Sequence, residues 1–190
     1  MESFFQGIIS FTGTPDAWTV MLLLLWCFIG EVGVALPYVL EGFWLLVGFN
    51  VGAGTLSPWF LVAFWLSAQA GRQAGSLGLY RIARFGIPAL EVFFRKIHLG
   101  KFFDKIKSKT GAVERYNLAS PFSVAFGRMV GMRIPMMLVM AGKKRPGMLA
   151  LGVLLSSIVW DGLYISLGAI FGATVDIAPG YMLLISLGCI

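Results

Sequence analysis

Five ionisable side chains stand inside apolar stretches of this chain: Glu31, Glu41, Arg128, Arg133 and Asp161. A charge within a membrane segment is expensive, so each is by default a candidate functional group. Arginine offers a planar fork of donors that matches two oxygens of a phosphate. A glutamate in a low-dielectric site can take up a proton. Both glutamates fall within residues 31–50 and both arginines within 118–142. If the tips of these two segments meet, two negative and two positive charges share one cavity. Arg128 and Arg133 would then hold a phosphate-bearing lipid head while Glu31 and Glu41 exchange protons. The same four charges could instead be ion pairs that only hold the segments together. Asp161, after Trp160 in an apolar run, is either a third acid of the site or the partner of an arginine. Gln69 and Arg72 could line the cavity, or Arg72 could snorkel its head to the membrane interface. Tyr80 reads as an interfacial anchor or as a headgroup contact.

Composition says what must surround these groups. Of 190 residues, 58% are hydrophobic and 13% charged. The mean hydropathy is +0.84. An average soluble chain carries roughly 25% charged residues, and a soluble fold of this size could not hide so much apolar surface. The pattern excludes an ordinary cytosolic globule, a disordered chain and a disulfide-stapled domain, and predicts an integral membrane protein. Net charge is +6, and residues 1–71 contain no Lys or Arg. Ten of the 15 basic residues fall between Arg72 and Arg115, and three more form the run Lys143, Lys144, Arg145. Basic segments that interrupt apolar runs mark cytoplasmic loops. Segments 72–115 and 143–145 are therefore expected on the cytoplasmic side of a multi-pass cell-membrane protein. A nucleic-acid partner is not expected, because the charge lines no polar face. Cys27 and Cys189 sit in apolar surroundings, and His98 is the only histidine. No zinc or haem site of Cys and His, and no other cofactor, is expected. The N-terminus lacks the positive n-region of a cleaved signal peptide.

The elements follow from apolar length and its interruptions, within a single transmembrane domain spanning 1–190. Residues 1–16 suit a short amphipathic segment at the interface. Residues 17–30 form an apolar run. The next run is broken by Pro37 and Gly42, and lipid cannot satisfy broken backbone, so 31–50 is predicted as a re-entrant hairpin. A helix is expected over 57–82, started by Pro58 and Trp59. Its small residues Ser67, Gly71, Gly75 and Gly78 would admit a neighbouring helix. Residues 86–117 mix aromatics with Lys and Arg at helical spacing, predicting cytoplasmic interfacial helices. Residues 118–142 are broken at Pro121, Gly127, Gly131 and Pro135 and flanked by basic residues on both sides. They are predicted as a second re-entrant hairpin, entering from the opposite face. An unbroken helix is expected over 147–172, and the run 178–190 is too short to span alone. The expected fold class is thus an all-α polytopic membrane protein with two oppositely oriented re-entrant hairpins, the pattern of inverted-repeat transporters.

No GxSxG elbow, P-loop or HExxH is present, and no enzymatic activity is expected. The predicted partners are membrane lipids with phosphate heads, and protons. Self-association into a homo-oligomer is compatible with the pattern.

Four motifs in order carry a family resemblance over residues 25–172. They are E31-VGVALP37-YVLE41-GFWLLVG48, G75-SLGLY80-RIARFG86, G127-R128-MVGMR133 with A141-G142, and W160 with G168 and G172. The set resembles the DedA family, also called the VTT or SNARE-associated Golgi protein family. Val39 and Leu40 stand in place of the family's second proline and a glycine, and Ser76 in place of an acid. The arginine pair lacks its intervening proline, so the chain resembles a divergent member. The resemblance implies facing re-entrant hairpins and movement of lipids across a bilayer, as a flippase of undecaprenyl phosphate or phospholipid, often proton-dependent, or as a scramblase. It also implies functional roles for Glu31, Glu41, Arg128 and Arg133. Two rival readings are a proton-coupled exporter of small cations, which the arginines oppose, and a non-transporting scaffold or assembly factor.

Overall fold

A computed structural model describes residues 17–32, 39–86, 92, 96 and 120–174. The expectations for residues 1–16, for most of 86–117, for Pro37 and for 178–190 lie outside the described residues. Among the described residues the protein is all-helical, with six helices and no strand. They are α1 (Ala17–Glu31), α2 (Val39–Gly52), α3 (Pro58–Arg84), α4 (Pro121–Met129), α5 (Arg133–Gly142) and α6 (Pro146–Thr174). Of these, α6 is long and apolar enough to cross a membrane. Its 29 residues span about 43 Å at the α-helical rise.

Local chemistry sets the helix ends. Ser120 caps α4, its Oγ accepting from the Phe122 N–H at 3.2 Å, and Pro121 follows in the first turn, where a missing N–H costs nothing. The chain then breaks at Val130, Gly131 and Met132. Gly131 takes φ +80°, which glycine adopts without strain, and Met132 N–H donates back to Gly127 O at 2.8 Å. Two of the four expected breaks in 118–142 are thus not breaks. Gly127 is helical, and Pro135 sits in the first turn of α5, where proline is tolerated. Gly42 is likewise helical, within α2.

The chain divides into two compact units. The first comprises Met1–Trp26, Leu36–Ala70 and Ile158–Ile190, and the second Cys27–Ala35 and Gly71–Ser157. In the first unit, α2 meets the C-terminal part of α6 backbone to backbone. A Cβ on Gly48 or Gly52 would overlap the carbonyl oxygens of Ile165 and Ala169, and one on Gly168 or Gly172 those of Leu45 and Phe49. Two four-residue glycine repeats face each other, the close-approach packing favoured between apolar helices. Phe43 sits edge-on to Trp44 and Phe64 alongside this contact, and Ser67 Oγ of α3 donates to Val20 O of α1 at 2.6 Å.

The second unit has a core of Leu79, Val124, Ile134, Met136, Met140, Leu149 and Val153, among others. Gln73 Nε2 of α3 donates to Ala150 O of α6 at 2.9 Å. Methionine, unbranched and adaptable, fills the irregular space beside Gly127, where a Cβ would meet the Met136 side chain.

Side chains distribute by polarity in an unusual sense. On α1, Thr19, Leu23, Cys27 and Glu31 form a buried stripe at four-residue spacing, while Trp18, Met21, Leu25 and Phe28 are exposed. On α6, Ser156, Ser157 and Asp161 are buried, while Leu151, Ile158, Val159, Leu163 and Ile170 are exposed. On these two helices buried polar groups stand beside the inward apolar ones, while many large apolar groups face outward.

The glycine contact gives a prediction with its own control. Gly168→Ala should lower the thermal midpoint of the purified protein. Gly162→Ala, on the same helix with nothing near its Cβ, should hold or raise it, since alanine favours helix by about 1 kcal/mol over glycine. Equal midpoints for the two variants would contradict the close packing of α2 on α6.

Candidate functional site

Glu31 ends α1, where the helix dipole is negative and a carboxylate is unwelcome. The second unit compensates it. Gly75 of α3 has no side chain to hold α1 away: a Cβ there would stand 2.8 Å from both Phe28 O and Glu31 Cβ. The carboxylate thereby reaches Arg128, in the last turn of α4, where a cation is favoured. The pair is bidentate. Arg128 Nη1 donates to Glu31 Oε2 at 3.0 Å and Nη2 to Oε1 at 2.6 Å. Arg128 Nε donates to Ser156 Oγ at 3.2 Å, and Ser156 gives its own proton to Val153 O at 2.9 Å. Both charged side chains are 4% exposed.

Two more guanidiniums, on Arg133 and Arg72, lie near enough for their charges to act on Glu31. Arg133 is half-buried at the start of α5. Among the described residues it makes no ion pair, and the α5 N-terminus has no side-chain cap. Free guanidinium donors beside uncapped helix N–H groups suit an anion with several oxygens. Arg72 is buried and partnered. It does not snorkel, because α3 continues to Arg84 and the exposed Arg81 and Arg84 form its basic end. Tyr80 is no surface anchor either. It is 3% exposed within the hydrophobic core, and its hydroxyl has no partner among the described residues.

The remaining candidates stand in the first unit. Glu41 is half-buried in the first turn of α2, and its Oε1 accepts from Trp160 Nε1 at 3.3 Å. Asp161 is fully buried and partnered. Gln69 is buried, with neither amide atom partnered among the described residues. The structure therefore joins Glu31, Arg128, Arg133 and Arg72 in one unit and sets Glu41, Asp161 and Gln69 in the other. Sequence reasoning missed Ser156, which fixes Arg128, and the role of Gly75 beneath Glu31. The Ser156–Ser157 pair, one turn before Asp161 in an apolar helix, was the available signal for the first. Among the described residues no cluster of His, Cys, Asp and Glu could hold a metal.

Comparison with protein-family models, with curated proteins and with solved structures finds no significant match.

Removing one partner of a buried ion pair strands the other, at a cost of about 3–5 kcal/mol, whereas removing both is far milder. Glu31→Leu and Arg128→Leu should each lower the thermal midpoint markedly, and the double variant should recover much of the loss. Additive losses in the double variant would mean that the pair is not coupled as described.

Proposed function

We propose that this protein is a multi-pass membrane transporter of phosphate-bearing lipids, proton-coupled, and that residues 31–50 and 118–142 are re-entrant in the bilayer. The observation that carries this reading is the chemistry around one carboxylate. Glu31 is sealed against Arg128, and beside it Arg133 keeps its donors unspent among the described residues. Three further features support it. Large apolar side chains cover the outer faces of α1 and α6, as lipid-facing surfaces require. One helix is long and apolar enough to span, and the shorter apolar α2 and α5 suit segments that enter without crossing. The motif resemblance to the DedA family points the same way.

The mechanism follows from competition for one guanidinium. With Glu31 ionised, Arg128 spends three of its five N–H donors on Glu31 and Ser156. A lipid phosphate arrives at Arg133 and the α5 N-terminus. A proton taken up by Glu31 removes the charge that holds Arg128, which then turns its fork to the phosphate oxygens. Loss of that proton restores the Glu31–Arg128 pair and displaces the phosphate. Phosphate binding and proton uptake thus favour each other, and a proton gradient biases the direction of movement. A small cation would meet three arginines around Glu31, the one acid of this unit among the described residues, which speaks against a cation exporter. The closed fork of Glu31 and Arg128 favours the scaffold as the second reading.

Arg133→Ala separates the two, because among the described residues Arg133 has no ion pair to strand. In proteoliposomes, transfer of polyprenyl phosphate or labelled phospholipid should fall by at least about tenfold, the loss of one or two charge-assisted hydrogen bonds, with the thermal midpoint unchanged. Undiminished transfer by Arg133→Ala would remove the anion-binding role. Absence of transfer in the folded wild type would favour the scaffold.

A further inference from the structure

The two units divide the charge of the chain. All 15 Lys and Arg fall in the second unit, against four acids, while the first has five acids and no base. Among the described residues of the second unit the one acid is Glu31, which is sealed, whereas Arg81, Arg84, Lys96, Lys143, Lys144 and Arg145 are exposed. The described surface of this unit is thus of one sign, and positive, which draws anions to it.

One part of that surface offers more than charge. Arg81 and Arg84 occupy the last turn of α3, and Phe85 follows. At spacings of three and four these side chains share one face. Phe85 N–H still donates to Ile82 O at 3.1 Å and Gly86 N–H to Ala83 O at 3.1 Å, so the helix end carries the ring with it. Gly86 then turns the chain at φ +112°, which glycine adopts without strain. Among the described residues, Arg81, Arg84 and Phe85 line a recess of about 330 Å³. Ligand pockets begin near about 300 Å³, so the space suits a lipid's polar head and not its chains. Phe85 is 86% exposed. A helix C-terminus favours basic residues, and that would account for the arginines alone. It does not account for a phenyl ring in the open beside them, nor for the recess.

The two chemistries match two parts of one ligand. A guanidinium fork fits two oxygens of a phosphate, and an apolar ring at a bilayer surface enters the boundary of the acyl chains. A free phosphate would use the arginines and leave the ring in water. We propose that Arg81, Arg84 and Phe85 form a site for the phosphate head of a resident anionic membrane lipid, which pins the end of α3 at the headgroup level. Arg133 does not line this recess, so the lipid held here is not the one that Arg133 receives. The proposal rests on the membrane part of the reading above and not on transport.

Native mass spectrometry tests it, on the full chain released from nanodiscs of phosphatidylglycerol and phosphatidylcholine in equal amounts. Arg133→Ala serves as the background, so that the other anion site does not contribute. That protein should retain phosphatidylglycerol over phosphatidylcholine by at least about tenfold, since each cation near an anionic surface is worth about fivefold. Arg81→Gln with Arg84→Gln should remove most of the preference. Lys143→Gln with Lys144→Gln takes away the same charge from residues outside the recess and should leave most of it. Equal losses in the two double variants would mean diffuse attraction and overturn the site, as would no preference in the background protein. All four positions are exposed, and thermal midpoints equal to the background would show that the variants fold. Phe85→Ala should weaken retention, and excess inorganic phosphate should not displace the lipid. Displacement by phosphate, with no effect of Phe85→Ala, would make this a free-anion site and overturn the lipid assignment. Retention is scored without transport, so failure of the transporter reading leaves the test intact, whereas a chain that does not enter nanodiscs would refute the membrane reading itself.

Discussion

One ion pair sets the terms for the second unit. A carboxylate at the wrong end of its own helix is held by a guanidinium at the right end of another, and both are sealed from solvent. Taking two such charges out of water costs several kcal/mol each before their attraction is counted. The fork must therefore be well made, and the surrounding sequence supplies what it needs. Gly75 lets Glu31 in, Ser156 takes the third Arg128 donor, and the Gly131 turn follows at once so that Arg133 begins the next helix. A pair assembled at such expense is poised, because one proton or one competing anion changes its balance.

The first unit solves a different problem. In the bilayer proposed above, helices with apolar outer faces would gain little from hydrophobic burial and would depend on close contact. The facing glycine repeats of α2 and α6 bring carbonyl oxygens against Cα atoms with no side chain between. Buried Thr19, Asn50 and Ser67 add polar contacts that an apolar environment would strengthen. The same economy appears in the second unit, where Met136 fills the space beside Gly127 and Val124 packs onto Gly152.

Much of this was legible in the residues, for physical reasons. Long apolar runs announced α1 and α6, and Pro58 marked the start of α3. The charge types in 31–50 and 118–142 pointed to an acid–arginine meeting, which the structure realises between Glu31 and Arg128. Other features were not legible. Glycine and proline were read as breaks, yet Gly42, Gly127 and Pro135 all lie within helices. A glycine that admits a neighbour and one that ends a helix look alike in sequence, and only the turn residue Gly131 is of the second kind in that stretch. For Arg72 and Tyr80 only the interfacial alternative fails, for a related reason. Residues close to a basic segment read as interfacial, but α3 runs on to Arg84 and leaves both inside. A helix as apolar as α1 also hides most of its inward stripe, because Leu23 and Cys27 on one face do not contrast with Trp18 and Phe28 on the other.

The central claim is that phosphate and proton are linked through the Glu31–Arg128 pair, and a proton count tests it most directly. Polyprenyl phosphate would be added to detergent-solubilised protein in weak buffer while pH is followed, for wild type and Glu31→Gln. The head group's own titration is common to both, so the difference belongs to the carboxylate. The account predicts that wild type takes up more protons per bound lipid than the variant, approaching about one as linkage requires. Equal uptake by the two proteins, with lipid bound by both, would contradict it.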